Sequence, residues 1–296
     1  MRKLYYQFII FLSRKLGIWV FPLFVWPVTT AFFLLFPNRV AVGVRFYQAL
    51  FPERRRLYHL LCTWRQYHNF SNLFLDRFIL NQDGAVSHTS EGWEYLQEAA
   101  DRETGGIILM SHMGNWETAA VLMQQKHAGM RLLLYMGKKH KEKIGTFIKD
   151  GLSRSGVRIV AVDPEGGSPL DLIEGIHFLR KGGLISLTGD RPWSGKERTV
   201  AVRFLNHEAH VLEAPHIIAL LSGAPIFILF AFRVSRRHYR FSVTEPIYVR
   251  AATRADRQDA IRESAQKYAD HMEKMLRRHP LEWFNFEPFL GRKLSD

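Results

Sequence analysis

Cysteine is almost missing from this chain. The single Cys62 in 296 residues excludes an internal disulfide and every cysteine-rich zinc site, and it fits a reducing compartment. Acidic residues are also scarce: 28 Asp and Glu face 41 Lys and Arg, a formal net charge of +13. That balance favours anionic partners, whether nucleic acid, an acidic carrier protein or the cytoplasmic leaflet. No Gly-x-Ser-x-Gly occurs, so covalent serine catalysis has no evident seat. Neither Gly-x-Gly-x-x-Gly nor a P-loop is present, which removes the usual phosphate cradles. His207-Glu208-Ala209-His210 misses the zinc pattern His-Glu-x-x-His, because its histidines are three apart in a segment that reads as a loop. No metal site is expected.

Charge is missing locally as well. Between Lys15 and Arg39 there is no charged residue, and residues 16–36 are rich in Phe, Trp, Val and Leu. The run is long enough to span a bilayer, but Pro22 and Pro27 invite a kink or a re-entrant turn. Basic residues flank both ends, so the positive-inside rule selects no orientation. The expectation is an N-terminal membrane anchor over residues 1–40, a monotopic helix or hairpin on the cytoplasmic face with a single span as the alternative. One catalytic domain then occupies residues 41–296. Residues 45–80 interleave aromatic and basic side chains at helical spacing. They read as an amphipathic helix pair at the core and membrane interface, not as a nucleic-acid surface.

The remainder reads as α/β, with a mostly parallel central sheet flanked by helices. A short helix is expected over residues 91–102. Strands are expected over residues 105–110, 131–136, Val157–Val162, Leu184–Thr188 and 224–232, with an edge strand over 239–249. Helices are expected over residues 166–180, 211–222 and 256–278. Two of the strands follow Gly-Gly pairs, Gly105-Gly106 and Gly182-Gly183, and both end in polar turns. The first turn carries Ser111-His112-Met113-Gly114-Asn115-Trp116-Glu117, the second Gly189-Asp190-Arg191-Pro192-Trp193. In an open α/β sheet, ligands bind beyond the carboxyl ends of the strands, so parallel strands ending in these turns would face one crevice.

His112 lies at a strand end and Glu117 in the first turns of the helix that follows. Such a pair can act as general base and orienting acid: the ring takes a proton from a substrate hydroxyl as that oxygen attacks an acyl carbonyl, and Glu117 fixes the tautomer. Oxyanion donors are expected from backbone N–H groups near Asn115 or from Arg191. Asn115, Asp190 and Arg191 are the expected substrate-binding residues. Lys138, Lys139, Lys141 and Lys143 with His140 form a basic cluster, either a solvated face or a site for anionic lipid or an acidic carrier.

These residues resemble a known family. His112-x-x-x-x-Glu117 after a Gly-Gly-apolar strand is similar to the His-x4-Asp/Glu box of the lysophospholipid acyltransferase superfamily, in particular the bacterial lipid A biosynthesis (lauroyl/myristoyl) acyltransferases. The likeness extends to the apolar N-terminus with Pro27, Gly189-Asp190, Phe204-Leu205, Ser222-Gly223-Ala224-Pro225, His279-Pro280 and Trp283. It implies an inner-membrane enzyme, its catalytic domain on the cytoplasmic face, that moves a fatty acyl chain to a lipid hydroxyl. The donor would be acyl carrier protein or acyl-CoA, a co-substrate, with no cofactor. By position His112 is the base and Glu117 its partner. The acceptor stays open among lipid A-like glycolipids, lysophospholipids, aminolipids and hydroxylated polyenes. The residues alone also admit a non-catalytic lipid- or carrier-binding protein, or a hydrolase that releases fatty acid.

Overall fold

The computed structural model describes residues 11–13, 15–17, 19–80, 87–115, 118–119, 131–137, 157–162, 169–192, 197–235 and 238–294. The chain divides into two compact units: Met1–Val86 with Leu276–Pro288, and Ser87–Met275 with Phe289–Asp296.

The first unit is helical. Helix α1 (Val20–Leu35) holds Pro27 inside it and stops at Phe36, and α2 (Pro37–Leu50) starts on a proline, whose fixed φ suits a first helical position. The two helices meet at a 91° bend. At 1.5 Å per residue α1 is about 24 Å long, short of the roughly 30 Å of a bilayer's hydrocarbon core. Among the described residues no single helix is long and apolar enough to cross a membrane, and only the bent pair α1 and α2 together meets that length and composition. Helix α3 (Arg56–Leu80) packs closely on α2, where a Cβ at Gly43 would run into the Thr63 side chain. His68 joins α3 to α1: its Nδ1–H donates to the Trp64 carbonyl (2.8 Å), so its Nε2 accepts from the Thr30 hydroxyl (3.1 Å). The returning chain is held by the Tyr47 hydroxyl on the Pro280 carbonyl (2.9 Å) and by Gln66 on the Trp283 carbonyl (2.5 Å).

The second unit is built on a seven-stranded sheet. In chain order its elements are β1 (Ser87–Glu91), α4 (Trp93–Asp101), β2 (Gly106–Met110), β3 (Leu132–Gly137), β4 (Val157–Val162), α5 (Pro169–Arg180) and β5 (Leu184–Thr188). They continue with β6 (Thr199–Phe204), β7 (His207–Leu212), α6 (Ala214–Ser222), β8 (Ile226–Ser235), β9 (His238–Val243), α7 (Arg257–Arg278) and β10 (Leu290–Lys293). The sheet order is β1-β9-β8-β2-β5-β3-β4, and every neighbouring pair is parallel except β8 and β9. Strands buried on both faces need unbroken apolar runs. Gly-Ile-Ile-Leu-Met of β2 is buried throughout, as are Leu132–Leu134 of β3 and Ile226–Phe232 of β8.

Three expectations are corrected here. β9 is not the edge, because β1 pairs with it on the far side, Ser87 opposite His238. Ser-His-Thr-Ser-Glu lacks apolar alternation, and a polar strand is well suited to a sheet edge. His207 to His210 lie on a strand, not a loop: β6 and β7 form a hairpin whose turn residues, Leu205 and Asn206, both take positive φ (49° and 58°), as a two-residue type I′ turn requires. β10 completes this small antiparallel sheet. The strand continues to Leu212, so the helix expected from residue 211 starts at Ala214.

Candidate active site

Strands β2 and β5 are parallel neighbours with Met110 opposite Thr188, so the turns after them leave the same end of the sheet. The Gly189 N–H donates to the Met110 carbonyl (2.9 Å) and ties the turns together at their base. Asp190 is 0% exposed. Its Oδ2 accepts the backbone N–H of His112 and its Oδ1 the ring Nδ1–H, each at 2.9 Å. A buried carboxylate is tolerable only when hydrogen-bonded, and here both oxygens hold one residue. Because a carboxylate only accepts, a proton sits on Nδ1, which in the neutral ring leaves the lone pair on Nε2. The His112 side chain is 16% exposed, enough to leave part of the ring accessible. An imidazole with an oriented ring is thus presented at the strand ends, and its neutral tautomer has Nε2 as the acceptor that a general base requires.

Three further groups fix these turns. From α7 the fully buried Tyr268 donates its hydroxyl to the Met110 carbonyl (2.9 Å), and its ring packs against Gly189, where a Cβ would come within 3.1 Å of it. Burial, with Asp190 adding to it, pushes the phenol well above its ordinary value and keeps it a neutral donor. The Leu212 N–H donates to the Gly189 carbonyl (2.8 Å). Gly114 turns the chain away from β2 with φ of 72°, a left-handed conformation, and any side chain there would collide with the Ala231 carbonyl oxygen.

The expected site residues divide. His112 and Asp190 come together, with Asp190 at the ring nitrogen that the sequence reading assigns to Glu117. Residues 116 and 117 lie outside the described residues, as do 138–143 with their basic cluster. Asn115 is buried; its Oδ1 accepts the Thr118 N–H (3.1 Å) and its own N–H donates to the Ala231 carbonyl (2.8 Å). Both N–H groups are spent within the protein, one on a side-chain cap and one on the β8 backbone, so neither is an oxyanion donor. Arg191 follows Asp190 in the turn and is half-buried.

Sequence reasoning misses the ring-binding role of Asp190 and the whole contribution of Tyr268. For Asp190 the signal was available: the same Gly-Gly-apolar-polar device occurs twice, and adjacent parallel strands bring its two ends together. Tyr268 gives no such signal, because on an amphipathic helix with Ile261, Ala265 and Met272 it reads as core.

A model of the bacterial lipid A biosynthesis acyltransferase family matches residues 77–290, well over half of the chain and all of both strand-end turns. No curated protein matches.

Proposed function

The chain belongs to the bacterial lipid A biosynthesis acyltransferase family, and from that premise we propose that it moves a fatty acyl chain from a thioester to a hydroxyl of a lipid or glycolipid acceptor, with His112 as the base. The donor is acyl carrier protein or acyl-CoA, and no cofactor takes part. His112 Nε2 removes the acceptor's hydroxyl proton as that oxygen bonds to the acyl carbon. Collapse of the tetrahedral intermediate breaks the C–S bond, and the imidazolium returns the proton to the departing sulfur. Asp190 holds Nδ1–H throughout and balances the transient positive charge. Glu117 serves as a further carboxylate partner of the His112 base, and Arg191 as a charge for the acceptor or the developing oxyanion.

The enzyme works at the cytoplasmic face of the inner membrane. Residues 1–40 serve as the anchor and 41–296 as the catalytic domain. Support comes from α1, which exposes Leu23, Trp26, Val28, Leu34 and Leu35, an apolar surface of the kind that marks membrane contact. Its length and the bend after it favour a monotopic or hairpin seat over a span.

The observation that carries the catalytic reading is the grip of buried Asp190 on both the backbone and the ring of His112. Its test is mass spectrometry of total lipids from cells with the wild-type protein, with His112→Ala and with the gene deleted. A lipid lacking one acyl chain in both mutant strains is expected and identifies the acceptor. With purified protein, acyl transfer by His112→Ala should fall by roughly 10²–10⁴-fold. Unchanged transfer overturns the assignment.

A further inference from the structure

The start of α3 has its polarity reversed. His59, Cys62, Thr63 and Gln66, at helical spacing, are buried, whereas Leu57, Leu60 and Leu61 face outward, Leu57 at 76% exposure and Thr63 at 0%. Three of the inner polar side chains each make a hydrogen bond inside the protein: His59 Nε2–H donates to the Phe51 carbonyl (2.9 Å), the Thr63 hydroxyl to the His59 carbonyl (2.9 Å) and Gln66 to the Trp283 carbonyl (2.5 Å), while the buried His59 Nδ1 and Gln66 Oε1 make none. The outward leucines have no such account in water. Adjacent to them stand three exposed arginines, Arg54, Arg55 and Arg56, with Arg65 on the same side and Glu53 as the nearby acid, paired with Arg54 at 3.3 Å. The Arg54 guanidinium lies over the exposed Tyr58 ring, 5.5 Å from its centroid.

We propose that this turn is a second lipid contact, separate from α1, that seats Leu57, Leu60 and Leu61 among acyl chains and sets Arg54, Arg55 and Arg56 against the phosphates of an anionic leaflet. The inference rests on the membrane-associated reading above and adds a headgroup preference to it. Exposed leucines beside exposed guanidinium groups and an exposed aromatic ring are the side-chain chemistry of a bilayer interface, where apolar stems enter the acyl region and cationic heads meet phosphate.

The experiment is flotation of the full-length protein with vesicles of phosphatidylcholine alone or with phosphatidylglycerol added. Wild type should bind both, the anionic vesicles more tightly by on the order of a hundredfold, given the contribution of each surface Lys or Arg. Arg54→Gln with Arg55→Gln and Arg56→Gln should erase that preference and leave neutral binding. Leu57→Ser with Leu60→Ser and Leu61→Ser should weaken binding to both. Because all six residues are exposed, denaturation midpoints should match wild type. A retained anionic preference in the arginine variant overturns the inference while leaving membrane association standing. Wild type that floats with neither vesicle overturns both. If the leucine variant binds as wild type but turns a lipid-free dimer into a monomer, the turn is an interface between copies of the chain and the proposal fails.

Discussion

Asp190 and His112 form a mutual dependence that predicts the consequence of changing either. Asp190→Asn keeps the size of the side chain but offers an N–H where an acceptor stood. The ring would then keep its lone pair on Nδ1 and its proton on Nε2, the wrong tautomer for accepting a proton from the acceptor. Acyl transfer should fall by roughly 10²–10⁴-fold with the fold intact, measurable by release of thiol from the donor. Glu117→Gln should cost less, since Nδ1 is already held; an equal loss would assign Glu117 a direct role. Tyr268→Phe removes only the hydroxyl, and the Met110 carbonyl keeps the Gly189 N–H. A loss of about 1 kcal/mol in denaturant unfolding is expected.

Among the elements, legibility follows the kind of signal each one carries. β2, β4 and β5 are apolar runs bounded by glycine or polar turns, and their positions agree with the structure almost residue for residue. β1 and β7 are polar strands, stabilised by the neighbours they pair with, and no local pattern reveals them. The candidate site was half legible for the same reason. His112 stands out at the end of an apolar run, whereas its partnership with Asp190 depends on the β2–β5 pairing across 78 residues. Buried polar groups between helices were not legible at all. His216 of α6 lies against Ser264 of α7, Nδ1 to Oγ 2.8 Å, and burial lowers its pKa to about 4. The unfolded chain, with an ordinary histidine near 6.5, binds this proton more readily than the native state does between those values. Stability from this site is therefore full above about pH 6.5 and declines as the pH falls toward 4, by about 3 kcal/mol in all. Urea unfolding at several pH values should show that slope, and His216→Gln, which cannot titrate, should flatten it.

On the scale of the molecule, the family match spans the sheet and its strand-end turns, whereas the apolar and basic surface of α1, α2 and the start of α3 lies before it. On the proposed function, chemistry and membrane location lie in different stretches of one chain, and variants should separate them. Substitutions at His112 or Asp190 should abolish transfer without altering vesicle flotation, and those at Arg54–Arg56 should do the reverse in detergent micelles, where no leaflet has to be found. The outward leucines have one more consequence. A bilayer that binds only the folded protein acts as a thermodynamic ligand, and occupancy stabilises the native state by RT ln(1 + [L]/Kd), about 2.7 kcal/mol at a hundred times Kd. The melting temperature should therefore climb with vesicle concentration and level off only logarithmically. In the leucine variant the curve should start at the same value in lipid-free solution and rise later, so that lipid supply itself sets how durable this protein is.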